Sequence, residues 1–366
     1  GYVTGESASV RTKIHDLTVQ GAVSGVTTPA GLATAGIVGY AENCELYNLT
    51  NAAAVTGTSS YTGGIVGYAV SANVYLYGNL TNSGNISGGS FVGGVGGRTH
   101  CNFYNPADTS AYGTFRNSGS ITGSGNSVGG IFGFSDKTIK NATNMASGNV
   151  VGLYYVGGIS GRSQGAIESC TNGGSVTATS YVTNGEAENL VGSFAGGITG
   201  YQLSHNITSC TNSGYIQSTS ASYNDYVGGI TGYSKLPVND SINTSSGAVN
   251  GGSYVAGIVG RLLAGVSISG NSNAAAITAT GSYVGGIVGL MIGGSLTGAY
   301  AGGTSYYTNT GAILGGNYVG GIIGEYSLSS SANTMIRSVC NIGAVRLTSA
   351  AGTAVGGIIG RITASG

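Results

Sequence analysis

One short pattern, repeated along the chain, restricts the fold more than any other feature. The segment "YVGGIVGL" starts at Tyr283, with near-copies "YTGGIVGY" at Tyr61, "YVGGISGR" at Tyr155, "YVGGITGY" at Tyr226 and "YVGGIIGE" at Tyr318. With the second glycine of the pair as anchor, eleven copies fall at Gly36, Gly64, Gly94, Gly130, Gly158, Gly197, Gly229, Gly257, Gly286, Gly321 and Gly357, on average about 32 residues apart and never closer than 28. The residue after the anchor is always Ile or Val, glycine returns two residues further on, and an aromatic lies three before it in eight copies. Self-similarity at such a period marks a solenoid, a propeller or an array of small units.

A second module lies between anchors. It reads Asn, commonly Gly or Ala two later, then Ile or Val: "NAAAV" at Asn51, "NSGNI" at Asn82, "NSGSI" at Asn117, "NGGSV" at Asn172, "NSGYI" at Asn212, "NAAAI" at Asn273, "NTGAI" at Asn309 and "NIGAV" at Asn341. Asn144 and Asn243 head looser versions, and "VQGAV" at Val19 is a degenerate copy without the Asn. Insertions fall in two places only, between anchor and Asn or between Asn and the next anchor. Cores of fixed length with variable joints are how solenoid coils behave.

The shortest repeat has room for three strands of about five residues with three turns, and no 3.6-residue apolar period persists to support a helix. The expected fold is therefore all-β: a right-handed parallel β-helix (β-solenoid) of about eleven coils, three short strands per coil, as one repeat domain over residues 1–366. Strands of successive coils would stack about 4.8 Å apart, so equivalent residues form ladders. Val227, Val255 and Val284, two before the anchor, and the Ile after it should both point inward. That three-residue gap needs a corner at the glycine pair, where glycine adopts unusual backbone angles cheaply. The recurrent glycine three after the anchor should lie where another strand passes too close for a side chain.

Composition excludes several function classes. Twelve basic and twelve acidic residues are spread thinly over 366, with formal net charge zero, so there is no basic stripe for nucleic acid. The apolar run Ile287–Ile292 is far short of a membrane span. The GGxxG segments lack the following helix and the Lys-Ser/Thr of a phosphate loop, so no cofactor is expected. No metal-binding repeat appears. Acidic residues are scattered, with Glu186 and Glu188 in the longest insertion, and His15, His100 and His205 lie far apart without a recurring Ser or Asp partner; the chain does not read as an enzyme. The chain opens on Gly1 without a signal peptide, which reads as a mature product or excised segment. Five cysteines without a CxxC read as buried thiols; Cys170 and Cys210 share a register with Leu49, Leu80 and Phe115, which points them inward, and whether they are bonded stays open. Seven Asn-x-Ser/Thr sequons (Asn48, Asn79, Asn85, Asn141, Asn206, Asn239, Asn243) matter only in a glycosylating host.

The Asn column reads as an amide ladder at a turn, and the aromatic column as a stacked support. The position four after the anchor is more informative. It holds Tyr40, Tyr68, Arg98, Arg162, Tyr201, Tyr233, Arg261 and Arg361, with Phe134, Leu290 and Glu325 in the remaining coils. Tyr and Arg are favoured at binding hot spots, so this column is the candidate contact surface, expected to face outward just past the glycine corner.

In combination, "YVGGITGY" at Tyr226 and "ITSCTNSGYI" at Ile207 resemble the GLUG-motif repeats of bacterial secreted and surface proteins, common in gut Bacteroidota and in some IgA-peptidase-like proteins. The resemblance covers about residues 16–362. It implies an exported, cell-surface location and an adhesive or spacer role, and it carries over no catalytic residue. The leading expectation is thus an extracellular structural or adhesive solenoid: a stalk, fibre subunit or adhesin repeat region. Its partners would be neighbouring repeats or copies of itself, and a glycan or host surface. The alternative is a glycan-binding module using the Tyr/Arg column, with a β-helix carbohydrate-active enzyme or an ice-binding protein as minor alternatives.

Overall fold

A computed structural model describes the chain apart from residues 26–32, 59, 184–189, 221–223, 299, 302–303, 306–307, 329–333, 350 and 365–366. All regular structure among the described residues is β-strand. The chain divides into two compact units, Gly1–Ser175 and Val176–Gly366, and each is a parallel β-helix of stacked coils. Among the described residues, apart from three short antiparallel pairings in inserted segments, the strands pair in parallel, each with its counterpart one repeat away.

Around one coil the chain passes five positions, finer than the three strands expected. Sheet I follows the glycine pair; in the first unit it stacks Tyr2–Thr4, Val38–Glu42, Val66–Ala69, Gly96–Thr99, Phe132–Ser135 and Ser160–Ser163 in order. Sheet II is short (Ile139–Lys140 on Ile167–Glu168), and sheet III ends at the Asn (Thr114–Asn117 on Thr143–Asn144). Early in the chain these two are a single eight-residue strand, as in Tyr75–Asn82. Sheet IV follows the Asn (Ile121–Gly123), and sheet V precedes the glycine pair (Phe91–Gly93). The expected strand "YVGGIVG" is thus two strands meeting at a corner. Sheet V has five strands in the first unit and six in the second, one for each of the eleven anchors. The second unit repeats the cycle, with six strands each in sheets I, IV and V.

The inward pattern is as the sequence implies. Val227, Val255 and Val284 are fully buried, as are Ile230 and Ile258 after their anchors, and Leu49, Leu80, Phe115, Cys170 and Cys210 line the interior two residues before the Asn. The Asn column is a buried amide ladder. In the first unit each side-chain NH2 donates to the next Asn carbonyl: Asn51 to Asn82 (2.7 Å), Asn82 to Asn117 (2.8 Å), Asn117 to Asn144 (2.8 Å) and Asn144 to Asn172 (2.8 Å). In the second unit the series runs from Asn212 through Asn243, Asn273 and Asn309 to Asn341 at 2.7–2.9 Å. The other amide hydrogen turns back to a backbone carbonyl at the tip, as from Asn117 to Gly119 (2.9 Å). These amides are 0–1% exposed except at Asn341, so their pairing is what makes burial tolerable.

The glycine corner is explained by crowding rather than by unusual backbone angles, a correction to the expectation. Among the described residues, positive φ at glycine occurs only at Gly21, Gly78, Gly192, Gly265, Gly270, Gly293 and Gly294, none of them in the repeated pairs. Instead the corner stacks backbone on backbone: Gly64 N–H donates to Gly94 O (3.0 Å) and Gly94 N–H to Gly130 O (3.1 Å). A Cβ on Gly94 would fall inside 3.0 Å of both Gly130 O and the Asn117 side-chain oxygen. The glycine three further on behaves as expected. A Cβ on Gly97 would lie 2.6 Å from Gly67 O, 2.7 Å from Thr62 N and 2.8 Å from Phe91 O, the last two in sheet V strands.

Two substitutions test this. Gly94→Ala should lower stability to chemical denaturation by about 3 kcal/mol or more, whereas Gly357→Ala, where nothing lies within 4 Å of the new Cβ, should be nearly neutral. Asn117→Leu should also cost about 3 kcal/mol, because it strands the Asn82 donor and the Asn144 acceptor; an exposed change such as Asn85→Ser should not.

Candidate functional site

Registers in sheet I place the candidate column in two in-line rows, one per unit. In the first unit Tyr40 pairs with Tyr68, Tyr68 with Arg98, Arg98 with Phe134 and Phe134 with Arg162; in the second Tyr201 pairs with Tyr233, Tyr233 with Arg261, Arg261 with Leu290, Leu290 with Glu325 and Glu325 with Arg361. Because the corner folds sheet V beside sheet I, this row packs against the aromatic row. Tyr61 and Tyr68 sit 4.6 Å apart between ring centroids. The Arg98 guanidinium lies 5.3 Å from the Phe91 ring, 5.5 Å from Phe134 and 5.7 Å from Tyr61, and Arg162 lies 5.0 Å from Tyr155 and 5.6 Å from Phe91. Such cation–ring contacts add about 0.5–1 kcal/mol each when exposed.

Outward exposure holds for part of the column only. Tyr40, Tyr68, Arg98, Arg162, Arg261 and Arg361 are half-buried. Tyr201 and Tyr233, expected at the surface, are only 1% exposed, and their neighbours Phe194 and Tyr226 2%. The two tyrosines pack on each other (5.2 Å) and on Phe194, while Lys235 spans the Tyr201 ring and Arg261 the Tyr233 ring. The end of the long insertion reaches the same cluster: a Cβ on Gly192 would lie 2.9 Å from the Tyr226 ring. Glu186 and Glu188 lie outside the described residues.

The aromatic row has little free ring face. In the second unit Phe194–Tyr226, Tyr226–Tyr254 and Tyr254–Tyr283 stack at 4.8, 5.0 and 4.5 Å with interplanar angles of 20°, 27° and 7°. Rings stacked this way spend their faces on one another and offer only edges and hydroxyls outward. Burial raises the hydroxyl pKa of Tyr226, Tyr254 and Tyr283, so these groups stay neutral donors. At the end of the row Arg361 lies 3.9 Å over Tyr318 and pairs with Glu325 at 2.6 Å.

One polar constellation was missed in the sequence. Arg98 Nε donates to His100 Nε2 (3.0 Å), and His100 Nδ1 meets Asp136 Oδ2 at 2.9 Å. His100 and Asp136 both stand six residues after their anchors, so a tabulation of that register would have paired them one coil apart. For Asp136, burial pushes the carboxyl pKa up, but the His100 hydrogen bond and charge, with Lys137 beside it, hold it below its usual value. Among the described residues no three His, Cys, Asp or Glu side chains come together as metal ligands, and no helix is long and apolar enough to cross a membrane.

The cysteines carry thiols in apolar surroundings. Cys170 and Cys210 each donate to the carbonyl two residues earlier (3.3 and 3.4 Å), and burial pushes the Cys44 thiol up to about 12. Of the sequons, Asn243 is buried inside the amide ladder, while Asn48, Asn79, Asn85, Asn141 and Asn206 are exposed.

No family model matches the sequence, and no curated protein matches it. Among solved structures, a crystal structure from Bacteroides ovatus, whose protein is provisionally named an immunoglobulin A1 protease, is 13% identical over 96% of this chain and 85% of that one, with a TM-score of 0.33. That likeness carries no functional argument.

Two outcomes follow. The folded value of Asp136 lies below the unfolded one near 3.9, so its contribution is fully present above about pH 4 and disappears as pH falls through the folded value. Asp136→Asn should therefore cost under about 1 kcal/mol at neutral pH, given the pair's partial exposure, and the difference from wild type should shrink in denaturation curves as pH falls from about 4 through the folded value. A maleimide should label only the half-buried Cys340 in the native protein, and all five cysteines after denaturation without reductant.

Proposed function

We propose that the chain is a structural, adhesive solenoid of a bacterial cell surface, a stalk or adhesin repeat region that holds its inserted loops at fixed spacing. The supporting observation is where the recurrent residues go. The Asn, Val/Ile and glycine columns are buried or spent on coil-to-coil contact, and the aromatic rings stack on each other. Residues that repeat because every coil needs them are scaffold residues. The GLUG-like combination of modules supports an exported location.

The Tyr/Arg column serves this reading as an outer clasp, with guanidinium groups bridging rings of neighbouring coils. Its rings are engaged by one another and by the guanidinium groups, which favours a clasp over a platform for sugars.

Immunogold labelling of intact producing cells tests the proposal. Label on the surface of unbroken cells, removed by external protease, is the expected result. Label found only after lysis, inside the cell, overturns it.

A further inference from the structure

The first unit also holds a polar cavity of about 410 Å3, lined by Arg11, Lys13, Glu45, Tyr77, Asn105, Pro106 and Ala107. It differs from the rest of the surface in being built from an irregularity. Asn105–Ala107 form the tip between two short antiparallel strands, Tyr104–Asn105 and Asp108–Tyr112, inserted between Gly94 and Asn117. That anchor-to-Asn interval is 23 residues, matched only by Gly286 to Asn309. A regular coil would leave this face of sheet III open; the inserted hairpin gives it a wall. Loops held on a rigid scaffold are where binding residues concentrate.

The floor is a buried carboxylate. Glu45 is 3% exposed and accepts from Arg11 Nε (2.9 Å) and Tyr77 Oη (2.9 Å), with Lys13 Nζ at 3.4 Å. Burying one carboxylate needs one cation; here two are gathered, leaving a surplus positive charge at the mouth. Arg11 is held in place, since its guanidinium lies 4.8 Å over the Tyr75 ring, and Tyr75 packs edge-on against Tyr104 of the hairpin. Asn105 is fixed too: its side-chain oxygen accepts from Ala107 N (2.9 Å), which leaves its NH2 as a donor beside the cations. The carboxylate nearest on the hairpin, Asp108, is engaged by Ser110 in its own turn, and Asp16 is held by His15. The cavity is therefore rich in donors and cationic by one charge. Its size falls in the range of small-molecule sites, roughly 300–1,000 Å3, more than a bare inorganic ion fills, and its mostly polar lining suits a hydroxylated ligand.

We propose that this cavity binds an acidic saccharide unit, a sugar ring bearing a carboxylate or a sulfate, whose anionic group sits between Lys13, Arg11 and Asn105 while Glu45 and Tyr75 position the arginine. The site is separate from the Tyr/Arg column and does not rest on the scaffold reading above.

The test uses the full chain and four probes, D-glucuronate, D-glucose 6-sulfate, D-glucose and inorganic sulfate, measured by isothermal titration and saturation-transfer NMR. Saturable binding of glucuronate or glucose 6-sulfate, at least tenfold tighter than glucose and than inorganic sulfate, is expected, and which acidic sugar binds identifies the anion. Two variants locate the site. Lys13→Met keeps the aliphatic stem and removes the charge. Asn105→Asp keeps the acceptor that Ala107 N needs and replaces the donor with a negative charge. Each should weaken binding tenfold or more while leaving the thermal unfolding midpoint and far-ultraviolet spectrum unchanged. No binding of either acidic sugar overturns the proposal, as does binding that glucose or inorganic sulfate matches, or that neither substitution alters.

Discussion

The amide ladder inside each unit is the constraint on which the other features depend. A buried side-chain amide must place two hydrogens and an acceptor, and here one hydrogen and the oxygen are met by the same residue one coil away. That arrangement exists only if successive coils stay in register at the asparagine. It also fixes how close the corner must come: the anchor glycine lies against the ladder, where a Cβ on Gly94 would reach both the Asn117 side chain and the next glycine's carbonyl. Asparagine and glycine are two halves of one contact, which is why the two modules recur together.

That contact explains how much of the fold could be read from the sequence. Ladder geometry converts a one-dimensional period into a three-dimensional column, so the eleven corners, the inward Val and Ile positions and the amide ladder all follow from spacing. The reason for the glycine pair was misjudged because crowding between coils is a property of the stack, invisible in any one copy. Positions four after the anchor were placed correctly in line, yet Tyr201 and Tyr233 are buried. Their cover comes from neighbouring side chains and an insertion, and insertions are the segments whose placement periodicity does not describe.

Polar sites divide along the same line. His100 and Asp136 share a register, so their pairing was legible in principle. The cavity over Glu45 was not. Arg11, Glu45 and Tyr77 come from three successive coils at unequal offsets, and the wall is an insertion tip. Only the long interval between Gly94 and Asn117 hinted that something was built there.

In-register stacking also makes irregularities hereditary. In sheet V of the first unit Tyr61 pairs directly with Phe91. Late in the second unit the pairing skips the tyrosine: Ser282 pairs with Asn317 and Val284 with Val319. There Tyr254, Tyr283 and Tyr318 have positive φ, 55°, 66° and 50°, a region where a bulky side chain costs about 1–2 kcal/mol. One such residue could relax alone, but a coil that did so would lose register with both neighbours and break the stack of rings. Ring pairs add about 0.5–1.5 kcal/mol each beyond the area they bury, comparable to the strain, so the distortion persists once begun. A ladder therefore holds a strained conformation in place by the same means that it holds a relaxed one.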